Sequence, residues 1–170
     1  MMNKGMKKRW ISLYVENQVG VLSKISGLFS GKSYNLDSLT VGTTEDPTVS
    51  RMTIATVSDD ETFEQIKKQL NSMVEVIKVM DLTDVPIHSK EILYAKIHGI
   101  DAAGKEEAFR IAQVFKIRVI DIGEDSVLLE SALTERRNNE LIALLKKTYR
   151  HIEVVRGGAV AIESISTSCR

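Results

Sequence analysis

A chain of 170 residues, 43% of them hydrophobic, has room for one domain or two small ones with real cores. Its 23 Lys and Arg balance its 23 Asp and Glu, which excludes a global electrostatic pull toward nucleic acid or an anionic membrane, so any ligand must be held locally. The single cysteine, Cys169, excludes a disulfide framework within the chain. Apolar runs are broken by charge well short of a bilayer span, and the basic start (Lys4, Lys7, Lys8, Arg9) lacks a secretion-type apolar stretch, so the expectation is a soluble, cytoplasmic protein.

The first element is a strand over Trp10–Glu16, where apolar and polar residues roughly alternate. A polar turn follows, and Val21, Leu22, Ile25, Leu28 and Phe29 recur at three- and four-residue steps, predicting an amphipathic helix over Val21–Gly31. Strands are predicted at Tyr34–Val41 and Ser50–Val57, joined by the turn Thr43–Pro47. Ser58-Asp59-Asp60-Glu61 reads as a capping box that starts a second helix, with Ser58 as the cap and a stripe through Phe63, Ile66, Leu70 and Met73. Strand Val74–Val79 completes β-α-β-β-α-β, the ferredoxin-like order.

After a polar connection around Asp81–Lys90, broken by Pro86, the order repeats. It gives strand Ile92–His98, helix Ala102–Phe115, strands Ile117–Ile122 and Val127–Leu133, helix Thr134–Tyr149 and strand Ile152–Arg156. Leu141 and Leu144 precede the last strand by the spacings at which Phe63 and Ile66 precede Val74. The expected fold is α+β, with two tandem ferredoxin-like βαββαβ domains at residues 1–83 and 84–170.

The chemistry concentrates at Glu16-Asn17-Gln18-Val19-Gly20-Val21-Leu22, where a strand feeds a helix through a glycine. Such a junction leaves backbone N–H groups free at the positive end of the helix dipole, so Gly20, Val21 and Leu22 can donate to a carboxylate or phosphate, with Asn17 adding an amide. A plain alternative stands beside this: Asn17 caps the helix and Gly20 eases the turn. Asn35, placed early on the second strand, supplies a second amide; a first and a second strand that are not neighbours can still edge the same helix end. The second half has Val119 at the position of Asn35 and opens with His98-Gly99-Ile100-Asp101-Ala102, so it lacks both features.

Catalytic patterns are not found. There is no Gly-Asp-Gly with a following Asn pair for thiamine diphosphate, no Gly-x-Ser-x-Gly elbow and no Walker lysine pattern. Asn138-Asn139 read as solvated helix residues, and His88, His98 and His151 are too dispersed for a helical metal pair, so no metal site is expected. Strand aromatics are too scattered for an RNA-stacking sheet, and no nucleic-acid or membrane partner is expected.

These motifs resemble the amino-acid-binding ACT domain, and specifically the regulatory (small) subunit of acetolactate synthase, also called acetohydroxyacid synthase. The resemblance is carried by Glu16–Leu22, Tyr34-Asn35-Leu36-Asp37-Ser38-Leu39-Thr40-Val41, Asp46-Pro47-Thr48-Val49-Ser50-Arg51-Met52-Thr53-Ile54 and Glu64–Leu70. It implies a non-catalytic chain that dimerises through side-by-side ACT domains. It also implies a partner, the thiamine-diphosphate- and metal-dependent catalytic (large) subunit of branched-chain amino-acid biosynthesis, and valine feedback inhibition. The implied valine site lies between the Asn17–Leu22 loop of one chain and the Asn35–Leu36 strand of the other. Gly20, Val21 and Leu22 would hold the carboxylate, Asn17 and Asn35 the polar groups, and Val21, Leu22 and Leu36 would face the isopropyl group. Many family members carry Pro where this chain has Val19, which makes the loop less rigid here. The alternative is a free-standing ACT sensor that regulates another enzyme or transcription.

Overall fold

A computed structural model describes residues 5–166. Cys169 lies outside them. Among the described residues nine strands and four helices follow in chain order: β1 Lys7–Glu16, α1 Val21–Gly31, β2 Ser38–Thr43, β3 Val49–Ser58, α2 Asp60–Asn71, β4 Val76–Asp81, β5 Ile87–His98, α3 Ala102–Phe115, β6 Arg118–Ile122, β7 Ser126–Leu133, α4 Glu135–Thr148, β8 Ile152–Arg156 and β9 Val160–Glu163. The two sheets run β2-β3-β1-β4 and β6-β7-β5-β8, each the antiparallel order expected of a βαββαβ unit, and β9 pairs with β5. The chain forms two compact units: the chain through His88 together with the stretch from Val160 onward, and Ser89–Ala159. The expected boundary after residue 83 had no place for this return. Ala161 N–H donates to Thr53 Oγ1 at 3.3 Å and Ser164 N–H to Pro86 O at 2.9 Å, both within the first unit.

The first core forms because alternating Ile11, Leu13 and Val15 of β1 meet two helical stripes. Val21, Ile25 and Phe29 recur every fourth residue of α1, and Phe63, Ile66 and Leu70 step by three and four along α2. The second core repeats the plan with Leu93, Ala95 and Ile97 against Ala108, Ile111, Ala112 and Phe115, closed by Leu141 and Leu145.

Four expectations are corrected. Ser58 does not cap α2; it ends β3, opposite Lys7, and the cap is Asp59, whose side chain accepts from Thr62 N–H at 2.7 Å. The register with β1 turns Ser58 inward and leaves the next residue to start the helix. Asn35 precedes β2 rather than lying on it. The repeat runs three residues out of the expected phase: the buried residues of α4 are Asn138, Leu141 and Leu145, with the three- and four-residue steps of Phe63, Ile66 and Leu70, so Leu141 matches Ile66 and not Phe63, and Leu144 is exposed.

The fourth concerns Asn138, which is fully buried rather than solvated. It occupies the position of Phe63, and β7's Ser131, paired with Leu93, occupies the position of Ile54, paired with Ile11. Ser131 Oγ donates to Asn138 Oδ1 at 2.6 Å, Asn138 Nδ2 to Glu91 Oε1 at 3.0 Å, and Arg156 closes on Glu91 at 2.6 Å. The positions held by the apolar Phe63 and Ile54 in the first unit are taken in the second by the hydrogen-bonded Asn138 and Ser131, part of a buried polar network.

Candidate functional site

The end of β1 is tied to the β2–β3 turn. Asn17 N–H donates to Thr48 O at 2.8 Å, its side-chain Nδ2 to Pro47 O at 2.9 Å, and its Oδ1 accepts from Ser50 Oγ at 3.1 Å. Asn17 therefore does not cap α1; it clamps the loop. Ser50 is a partner that the sequence pattern did not single out, because the contact spans 33 residues. The chain then turns at Gly20, at φ +89°, a left-handed conformation that a side chain would strain.

Gly20 is the N-cap of α1 and provides no side-chain hydrogen bond. The other helices provide one each: Asp59 for α2, Asp101 for α3 through Gly104 N–H, and Thr134 for α4. Val21 N–H reaches Gln18 O at a long 3.4 Å, and Lys24 N–H makes the first full helical bond, to Gly20 O at 3.0 Å. The start of α1 is thus a positive dipole end supplied with no acceptor from its own cap residue. Lys24 pairs with Glu75, and that ammonium holds the Glu75 carboxyl below its ordinary range.

The side chains nearby divide. Val21 is 4% exposed and packs in the core, so only its backbone faces the loop; Leu22 is 43% exposed. Val19, at the position of the family's proline, is wholly exposed. Leu36 packs partly on the first core. Asn35 is exposed; its Nδ2 donates to Asp37 Oδ1 at 2.9 Å, and its carbonyl accepts from Thr56 Oγ1.

Asn17 and Asn35 do not edge the same helix end. Asn17 is anchored to Thr48 and Asn35 to Thr56, at opposite ends of β3. Eight residues of strand separate the anchors by about 26 Å. No small molecule spans that distance, so a site that uses both amides needs two chains. In the second unit, Asp101 fills the start of α3, and no corresponding uncapped junction exists there.

His98 and His151, far apart in sequence, stack with ring centroids 5.5 Å apart at the ends of β5 and β8. Among the described residues no group of three or more His, Cys, Asp or Glu is placed to hold a metal, and no helix is long and apolar enough to cross a membrane.

The profile of the AHAS small subunit-like ACT domain matches residues 11–78, and that of the small subunit of acetolactate synthase matches residues 90–165. The chain is 36% identical over 155 residues to the acetolactate synthase small subunit of Haemophilus influenzae, covering 91% of this chain and 94% of that one. It is 37% identical over 155 residues to the isozyme 3 small subunit of Escherichia coli, with the same two coverages. The crystal structure of the acetolactate synthase small subunit from Thermotoga maritima superposes with a TM-score of 0.85 at 30% identity, covering 94% of this chain and 99% of that one. With both units matched and nearly the whole length aligned, this chain belongs to the family of acetolactate synthase small subunits, the regulatory and non-catalytic partners of that enzyme, and its first unit is an ACT domain.

Proposed function

We propose that this chain, as a cytoplasmic homodimer, binds and activates the thiamine-diphosphate- and metal-dependent catalytic subunit of acetolactate synthase and makes it sensitive to L-valine. The observation that carries the effector reading is the start of α1, where a left-handed glycine takes the place of the acidic or hydroxyl cap found on the other three helices. The effector carboxylate would supply the missing acceptor, and Asn35 of the second chain would meet the ammonium. The span of about 26 Å between Thr48 and Thr56, to which Asn17 and Asn35 are anchored, supports placing the site between chains. Burying an isopropyl group contributes roughly 1.5–3 kcal/mol, and each charge-assisted hydrogen bond roughly 1.5–3 kcal/mol. Against the loss on association, this gives a micromolar to millimolar sensor.

Regulation follows by linkage: valine shifts the enzyme only as far as it binds one arrangement of the dimer better than another. Calorimetric titration with L-valine, with D-valine as the control, is the test. Saturable, stereoselective binding near one valine per chain or per dimer interface supports the reading, and no binding to the dimer or to its complex with the catalytic subunit rejects it. Gly20→Asp places a carboxylate where the effector's would sit and should abolish the valine response while leaving activation measurable. Loss of activation together with the valine response would contradict separate sites.

A further inference from the structure

A cavity of about 220 Å³ lies inside the first unit between Asn35 and the start of α2, lined by Tyr34, Asn35, Ser58, Asp59, Thr62 and Ile66 among others. Its notable atom is Ser58 Oγ, which is buried and has no hydrogen-bond partner among the described residues. Neighbouring groups are already engaged: Thr56 Oγ1 donates to Asn35 O, and Ser58 O accepts from Arg9 Nε. The register Lys7 to Ser58 fixes the serine inward at the last position of β3, so it cannot turn to solvent without breaking the strand end. A native interior rarely leaves such a hydroxyl unsatisfied.

We propose that this cavity is a second ligand site, which takes a small aliphatic molecule carrying a primary ammonium group. Asp59 is the single charged side chain among the described residues of the lining, and the nearby Arg9 guanidinium, which also acts on it, is outside that lining and already paired with Asp60. The field therefore favours a cation and disfavours an added carboxylate. Asp59 stays ionised because Thr62 N–H holds its carboxyl below the ordinary range. The ammonium donates to Ser58 Oγ and to the Asp59 carboxylate, and the aliphatic body lies on Tyr34 and Ile66. At about 30 Å³ per water-sized volume, the space suits roughly six to eight heavy atoms. The site shares Asn35 with the proposed effector site but rests on Ser58 and Asp59.

The test titrates the full chain with isobutylammonium chloride, isobutanol and L-valine, each followed by backbone amide shifts. Isobutylammonium should shift the Ser58, Asp59 and Thr62 amides saturably, with isobutanol about tenfold weaker. Ser58→Ala should weaken the ammonium by about fivefold and leave the L-valine titration at Gly20–Leu22 unchanged. Asp59→Asn, which keeps a side-chain cap, should erase the preference for ammonium over alcohol. The proposal is overturned by the absence of saturable shifts, by isobutanol binding equally well, by binding that both variants leave intact, or by L-valine shifting Ser58 more strongly than the amine. Failure of L-valine at Gly20–Leu22 alone bears on the effector reading and not on this one.

Discussion

Asn138 and Asn139 are indistinguishable as a dipeptide, yet one is fully buried and the other exposed. Helical phase decides it: Asn138 shares a face with Leu141 and Leu145, and the 100° step to Asn139 turns it toward Arg156 at the rim. Asn138→Ala removes a partner from both Ser131 and Glu91, so it should lower stability by about 1–3 kcal/mol in urea denaturation, while Asn139→Ala should stay within about 0.5 kcal/mol. Equal effects would contradict the buried network. Gly20 shows the converse. Nothing lies within 4 Å of where its Cβ would be, so Gly20→Ala meets no clash, but φ +89° is unfavourable for an L residue. The expected loss, about 1 kcal/mol in the same assay, is purely conformational.

Among the elements, α2 depends on acid–base state at its first turn. Thr62 N–H depresses the Asp59 carboxyl, and the Arg9 guanidinium depresses that of Asp60. Both folded values lie below the unfolded value of about 3.9, so the stabilisation is present above that pH and is lost as pH falls through the folded values. Amide exchange at Thr62 and Phe63 should accelerate in acid relative to the core of α1, and Asp59→Ala should remove most of that difference at Thr62. An unchanged profile would mean that the cap contributes nothing. The capping chemistry was legible in Ser58–Glu61, but its assignment to one residue was not: the β3 register claims Ser58, and that pairing comes from β1, about fifty residues away. Extents were misread for a similar reason. β5 begins at Ile87, inside a stretch whose polar composition reads as a connection, because strand pairing and not local propensity extends it.

At the level of the molecule, the separation of Asn17 and Asn35 makes a prediction that a site within one chain cannot meet. In a symmetric dimer each proposed site takes its loop from one chain and its Asn35 from the other. Gly20→Asp and Asn35→Ala homodimers should both fail to bind valine. Mixed after reversible dissociation, the two should recover about a quarter of the sites, because each mixed dimer joins an intact loop to an intact Asn35. Calorimetry on the mixture checks this, and no recovery would place both lesions in one chain's site.

The sequence by itself determined the α+β class, the tandem βαββαβ order, the limits of α1, α3 and β8, and the glycine junction that marks the family. These are written in local periodicity and turn chemistry, which need only a few neighbouring residues to express. Only the tertiary structure decided that Asn17 is a clamp rather than a cap, that Asn138 is core, that the segment from Val160 belongs with the first unit, and that the two amides lie at opposite ends of a strand. Each of these depends on register and contact between residues tens of positions apart, and such pairings are set by how the sheets close and not by any pattern along the chain.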